Sequence, residues 1–332
     1  MGESLAHRVG VVAIGRNEGE RLKRCIRSLP PGLAGVVYVD SGSSDGSVEF
    51  ARESGVDVVS LDMSIPFTAA RARNAGWSRL MGIAPKATYV QFLDGDCELV
   101  ADWLPAAWTA LQADRGLAAV CGRRREIAPD HSVFNRLCDM EWNTPVGDTA
   151  ACGGDAMFRL DALSEVGGFD PSIIAGEEPE LCLRLRAKGH RILRLDCEMT
   201  RHDAAIDRWS QWWLRNVRAG HAYAEGFYRY GSSPERFNRR QVASNVFWGV
   251  GVPTASVLLA PPTLGASLAL LGLYRVLYER AKADRLGRGD SEEDASLYAR
   301  YTVIGKFPQA RGQMQFAWRT FRKKRATLIE YK

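Results

Sequence analysis

Cysteine is scarce and unpaired in spacing: seven in 332 residues, at Cys25, Cys97, Cys121, Cys138, Cys152, Cys182 and Cys197, with no C-x-x-C among them. That excludes a disulfide scaffold and a zinc ribbon, and it fits a reducing compartment. No G-x-G-x-x-G follows the first apolar run, where the glycines are Gly10, Gly15 and Gly19. A dinucleotide dehydrogenase is therefore disfavoured. There is no low-complexity tract and no internal repeat. The run 9–14 is shorter than the roughly 7–15 apolar residues of a secretory leader, so none is expected. Met1-Gly2 imitates an acylation signal, but Ala6 stands where Ser or Thr is required.

What is present belongs to a folded, globular chain: 46% apolar and 25% charged residues. At about 100–200 residues per domain the length allows one large domain or two ordinary ones. The net charge of +5 conceals an asymmetry. Residues 1–200 hold 22 Lys+Arg against 28 Asp+Glu, and residues 201–332 hold 22 against 11. An acidic front and a basic back point to different partners.

Apolar runs at 9–14, 36–40, 56–61, 89–93 and 118–121 read as strands. Helical patterns at 21–29, 48–53, 69–81 and 103–111 alternate with them, the last behind Asp102 as N-cap. This order predicts an α/β domain over 1–205, with a mostly parallel central sheet and helices on both faces. Residues 206–332 read as a helical, basic and apolar C-terminal region. Its 33-residue stretch 242–274 has no charged residue. Trp209, Trp212 and Trp213 precede that stretch, and Arg322-Lys323-Lys324-Arg325 follows it. A hairpin dipped into one leaflet, or a tight spanning pair, is the membrane reading. A buried or oligomer-forming helical hairpin is the alternative.

Chemistry concentrates at a few points. Asp94-Gly95-Asp96 follows directly on a buried strand, where open α/β sheets bind ligands. Two adjacent carboxylates suit a hard divalent ion, Mn²⁺ or Mg²⁺, bound together with substrate phosphates. Asp40 opens the small-residue loop Ser41-Gly42-Ser43-Ser44-Asp45-Gly46-Ser47, open enough for a nucleobase or ribose. Arg71 and Arg73, early in a helix, are placed to neutralise a diphosphate. Glu177-Glu178 start another helix in a Gly/Pro-rich loop, a suitable place for a general base. His202 follows a strand-like run at 191–195.

The order of these motifs is more informative than any one of them. Arg16-Asn17-Glu18, Asp40-Ser41, Arg73-Asn74-Ala75-Gly76, Asp94-Gly95-Asp96, Cys152-Gly153-Gly154-Asp155, Gly167-Gly168-Phe169-Asp170 and Gly176-Glu177-Glu178 occur in series. The series resembles the family-2 inverting glycosyltransferases of the GT-A, nucleotide-diphospho-sugar transferase fold, over roughly residues 8–205. The resemblance implies a nucleotide pocket from Ile14, Arg16, Asn17, Asp40 and Ser41, with Arg73 near the diphosphate. It implies Asp94 on the ribose or metal, Asp96 as chief metal ligand and His202 completing the metal site. Gly153 and Gly154 would border sugar and acceptor. Glu178 would be the catalytic base, with Glu177 as the alternative. Two departures stand out: Ser41 replaces a second acid, and Glu178 an aspartate. The Gln-x-x-Arg-Trp motif of processive synthases is absent, which implies transfer of a single sugar.

The implied partners are a nucleotide-diphospho-sugar donor and a saccharide or lipid-linked saccharide acceptor, at the cytoplasmic face of a membrane. Other readings explain less. An Asp-nucleophile phosphatase shares Asp94-Gly95-Asp96 but leaves Glu177-Glu178 idle. A degenerate scaffold does not need Asp94, Asp96 and Glu178 together. No nucleic-acid partner is expected, because the basic residues are interleaved with the apolar stretch and form no regular reading helix.

Overall fold

The computed structural model describes residue 5, residues 7–323 and residue 329. Met1, Gly2 and Ala6 of the rejected acylation signal lie outside the described residues, as do Lys324 and Arg325 of the basic cluster. Two compact units emerge. One is built from the chain up to His131 together with Glu141–Ala205, the other from Ser132–Met140 and the chain from Ile206 onward.

The first unit opens with β1 (Val9–Gly15), α1 (Glu20–Arg27), β2 (Gly35–Asp40), α2 (Ser47–Glu53) and β3 (Asp57–Ser60). Then come α3 (Ala69–Ile83), β4 (Tyr89–Asp94), β5 (Cys97–Leu99), α4 (Trp103–Ala113) and β6 (Leu117–Glu126). After α5 (Val133–Trp142), most of which belongs to the second unit, follow β7 (Gly147–Asp148), β8 (Ala156–Arg159), α6 (Leu160–Glu165), α7 (Glu177–Ala187) and β9 (Arg191–His202). The sheet order is β3-β2-β1-β4-β8-β6-β9-β5, with β7 on β9.

The strands expected to run parallel do so: β3, β2, β1 and β4 form a parallel block. The near-continuous apolar sequences of β1, β2 and β4 are what burial on both faces requires. The whole sheet is mixed, because β8 inserts antiparallel between β4 and β6 and β5 pairs antiparallel with β9. Phe92 anchors the core where β4 meets β8. Its ring meets Phe158 and Phe169 edge-on at 5.7 and 5.3 Å. Such aromatic pairs are worth about 0.5–1.5 kcal/mol each beyond their burial. Asp102 precedes α4, but its side chain caps nothing. Trp103 behind it is fully buried and donates from Nε1 to Gln91 at 2.7 Å.

The site follows from topology. β1 has β2 on one side and β4 on the other, so the connections diverge there. In open α/β sheets such a switch point is where the ligand crevice lies, here at the carboxyl ends of β1 and β4, at Gly15 and Asp94.

The second unit holds α8 (Trp209–Tyr230), α9 (Arg239–Val246), a π-helical turn (Phe247–Gly251) and α10 (Val252–Leu258). A short 3₁₀ helix (Ala266–Gly272), α11 (Leu273–Gly287) and α12 (Glu292–Phe321) complete it. α8 and α12 touch backbone to backbone. A Cβ on Gly220 would lie 2.0 Å from the Gln309 carbonyl oxygen, and one on Gly312 equally close to that of Val217. The tryptophans expected at an interface divide. Trp212 is buried and packs on Phe134 and Tyr301, whereas Trp209 is exposed. Trp212 is thus a core residue of the helical unit. The charge-free stretch is not one long helix, because it turns at Pro261-Pro262 and Gly265 has a left-handed φ of 87°. Among the described residues no helix is long and apolar enough to cross a membrane.

Candidate functional site

Two loops at the carboxyl ends of β1 and β2 are locked together. Asn17, at a left-handed φ of 54°, donates its backbone N–H to Ser43 Oγ at 2.8 Å. Its side-chain oxygen accepts from Ser44 N at 2.8 Å. Asp40 is buried and accepts from the amides of Gly42 and Ser43 at 2.9 and 3.1 Å. Asp40 and Asn17 therefore shape the loop that the sequence assigned to the nucleotide. Ser41 is fully buried, and its hydroxyl has no partner. Ile14 ends the buried part of β1 and accepts from Gly95 N at 2.7 Å, which ties this loop to the acidic turn. Arg16 lies on the exposed side of the same turn.

Arg73 lies at the centre. Thr68 caps α3 by accepting from Arg71 N, and the second turn of that helix points Arg73 into the crevice. Arg71 donates instead to the carbonyls of Asp62, Ile65 and Pro66 and holds the preceding loop. Arg73 is only 3% exposed. It pairs with Asp94 at 2.8 Å and Glu177 at 2.7 Å, and it lies 5.6 Å from the Phe169 ring centroid. Burial opposes its charge, but the carboxylates of Asp94, Glu177 and Asp155 outweigh that and raise its pKa. Gly154 makes this packing possible. A Cβ there would lie 2.7 Å from Arg73 Nη2 and 2.9 Å from Asp94 Oδ2.

Asp155 is a site residue whose individual part the sequence did not reveal. It is fully buried; Oδ1 accepts from Asp94 N at 3.0 Å and Oδ2 from Thr200 Oγ1 at 2.9 Å. It also pairs with Arg124 at 2.9 Å. Arg124 lies 4.0 Å from Asp94 and 5.4 Å from the Trp142 ring centroid, and that ring is 4.7 Å from His202. The three arginines 123–125 on β6 were the available signal, since strand alternation turns the middle one away from its neighbours.

Asp96, in the turn between β4 and β5, meets His202 at the end of β9, with Oδ1 and Nε2 3.0 Å apart and both residues buried. His202 Nδ1 is buried without a partner. A small ion coordinated octahedrally at about 2.0–2.1 Å has adjacent ligands about 3 Å apart. The pair therefore fits two neighbouring positions on Mn²⁺ or Mg²⁺. Asp94 belongs to a different cluster, with Asp155 and Cys97. Its salt bridges run to Arg73 and Arg124.

The two glutamates at the start of α7 diverge. Glu177 reaches Arg73. Glu178 is 6% exposed, and its Oε1 accepts from Cys152 N at 2.6 Å and lies 3.1 and 2.9 Å from the sulfurs of Cys152 and Cys182. Burial raises the Glu178 pKa, and the donors from Cys182 and Cys152 only partly offset it. Gly153, at φ 83°, turns the loop that carries Cys152. The arrangement thus offers a buried cation, a carboxylate–imidazole pair and a carboxylate of raised basicity.

Comparison with known proteins bears on the family and the fold. Residues 11–166 match the model of the glycosyl transferase family 2. The chain is 30% identical over 195 residues to the succinoglycan biosynthesis protein ExoA of Rhizobium meliloti, covering 54% of this chain and 58% of that one. It is 24% identical over 197 residues to the glycosyltransferase AglE of Haloferax volcanii, covering 55% and 63%. The chain thus spans less than two thirds of the length of these relatives. The mannosyltransferase PcManGT of Pyrobaculum calidifontis, solved with GDP-Man and Mn²⁺, superposes with a TM-score of 0.63 at 19% identity, over 94% of this chain and 87% of that one. That likeness establishes a shared GT-A-like fold. Through residues 11–166, the chain is similar to glycosyl transferase family 2.

Proposed function

We propose that the protein is an inverting glycosyltransferase that moves one sugar from a nucleotide-diphospho-sugar to an acceptor hydroxyl. The observation that carries this reading is the family domain ending in one crevice that gathers Arg73, Asp94 and the Asp96–His202 pair. Asp96 and His202 would hold Mn²⁺ or Mg²⁺, which when bound neutralises charge on a departing diphosphate. The likeness to a mannosyltransferase solved with Mn²⁺ supports that choice.

The chain's own residues divide the remaining work. Ile14, Arg16, Asn17, Asp40 and Ser41 form the wall for the nucleotide. Arg73, held charged and nearly immobile, faces the diphosphate and costs no reorganisation at the moment of reaction. Asp94 orients Arg73 and meets the ribose, while Gly153 and Gly154 leave room for the sugar. Glu178 takes the proton of the acceptor hydroxyl. The acceptor oxygen bonds to the anomeric carbon from the face opposite the diphosphate, and the bond to the diphosphate oxygen breaks. Glu178 is favoured over Glu177 because burial raises its basicity, whereas Glu177 is committed to Arg73. Calorimetric titration with a panel of nucleotide-sugars tests the donor site. One donor should bind only with Mn²⁺ or Mg²⁺, and Asp96→Asn should abolish that binding. Equal binding by the variant would overturn the assignment.

The acceptor we propose is a lipid-linked or growing polysaccharide at the cytoplasmic face of a membrane. The succinoglycan relative supports a polysaccharide. The second unit supports the inner leaflet: Val257, Leu258, Leu259, Leu264, Leu268 and Leu271 are all exposed along one short segment, Leu264 at 97%. A basic chain segment carries that segment, which suits anionic lipid. The protein should float with anionic vesicles, and the double change Leu258→Glu, Leu264→Glu should release it. Absence of the wild type from the vesicle fraction at low salt would refute the membrane part alone.

A further inference from the structure

Glu178 and Cys182 stand one turn apart on α7, so their side chains share a face. The loop before β8 brings Cys152 against both. The two sulfurs are 3.6 Å apart, and each lies about as close to Glu178 Oε1, at 3.1 Å for Cys152 and 2.9 Å for Cys182. Cys182 is fully buried, while Cys152 and Glu178 each keep 6% exposure, which leaves a way in. We propose that Cys152, Glu178 and Cys182 form a binding site for a soft divalent cation, Zn²⁺ first, distinct from the Asp96–His202 pair.

Size, charge and chemistry agree. Zinc bonds to sulfur at about 2.3 Å and to carboxylate oxygen at about 2.0–2.2 Å, tetrahedrally. Those lengths put two sulfur ligands about 3.8 Å apart and a sulfur and an oxygen about 3.5 Å apart. The three atoms need only a small outward shift to admit the ion. As it enters, each thiol gives its proton to solvent. Two thiolates, one carboxylate and Zn²⁺ then carry one net negative charge, the same as the carboxylate alone. No further net charge is buried, which removes the main cost of placing an ion there. Thiolates select zinc over Mn²⁺ and Mg²⁺, which prefer oxygen. Three protein ligands also leave the fourth tetrahedral position open.

One consequence rests on the functional reading above. If Glu178 is the base, zinc at this site occupies the carboxylate and stops transfer that Mn²⁺ supports. Binding itself does not depend on that reading.

The test uses the reduced, full-length chain with Co²⁺ as a spectroscopic probe. One Co²⁺ per chain should produce a thiolate-to-metal charge-transfer band, be displaced by Zn²⁺, and release two protons. Asp96→Asn should keep the band. Cys152→Ser with Cys182→Ser should lose it, with affinity falling by more than the roughly 10–100-fold typical of outer-sphere changes. Release of two protons by the wild type decides the matter even where the double variant folds poorly. No thiolate band, a band that survives in a folded double variant, or loss of the two thiols to a mutual disulfide in place of metal uptake would overturn the proposal. A cobalt band in a protein that binds no nucleotide-sugar would leave this site standing and remove the transferase reading instead.

Discussion

Arg73→Met should destabilise the first unit by about 3–5 kcal/mol, the usual result of removing one partner from a buried ion pair. Asp94 and Glu177 both lose their guanidinium, and neither is exposed enough for water to replace it fully. For a unit of this size the melting temperature should fall by roughly 6–20 °C. Donor binding should disappear as well, because the same group faces the diphosphate. Arg79→Met is the control. Arg79 makes two 2.7 Å bonds to Asp57 but is half exposed, so solvent screens the pair and its loss should leave the melting temperature nearly unchanged. Thermal melts of the two variants read the difference. Equal melting temperatures would show that the Arg73 cluster carries no special weight.

Glu178→Gln should leave the fold intact and cut the transfer rate by roughly 10²–10⁴, the range for a general base. Burial sets the folded-state pKa of Glu178 above the ordinary glutamate value of 4.5. The working form is the carboxylate, so wild-type activity should fall as pH drops through that raised value. Its acidic limb should therefore lie above the ordinary glutamate range. For stability the sign reverses. A raised folded-state pKa makes the protonated form the better fit, and that stabilisation is lost as pH rises through it. The Gln variant should thus melt no lower than wild type near neutral pH. A Glu178→Gln enzyme with wild-type rate would move the role to Glu177, whose ion pair with Arg73 makes the opposite prediction for stability.

The parallel block of the fold was legible because β1, β2 and β4 are continuous apolar runs that only a buried strand explains. β5 and β8 were not, because three or four residues carry no period of their own and are defined by partners far along the chain. β6 and β9 run past their apolar parts into Arg123–Arg125 and Thr200–His202, where Arg124, Thr200 and His202 are spent inside the site. Asp94, Asp96 and Arg73 could be found from their position after strands and in a helix. That Glu177 and Glu178 face different partners could not, because one residue along a helix turns a side chain by about 100° and the sequence does not fix the starting angle. Trp212 shows the opposite error: an interfacial composition that tertiary packing turned into core.

The central claim is transfer with inversion at this crevice. Proton NMR of wild type with nucleotide-sugars and Mn²⁺, with water as a slow acceptor, tests it most directly. One donor should be consumed to nucleoside diphosphate and free sugar, and the first sugar formed should have the anomeric configuration opposite to that of the donor. Retention of the donor's configuration, or no donor consumed with either metal, would contradict it.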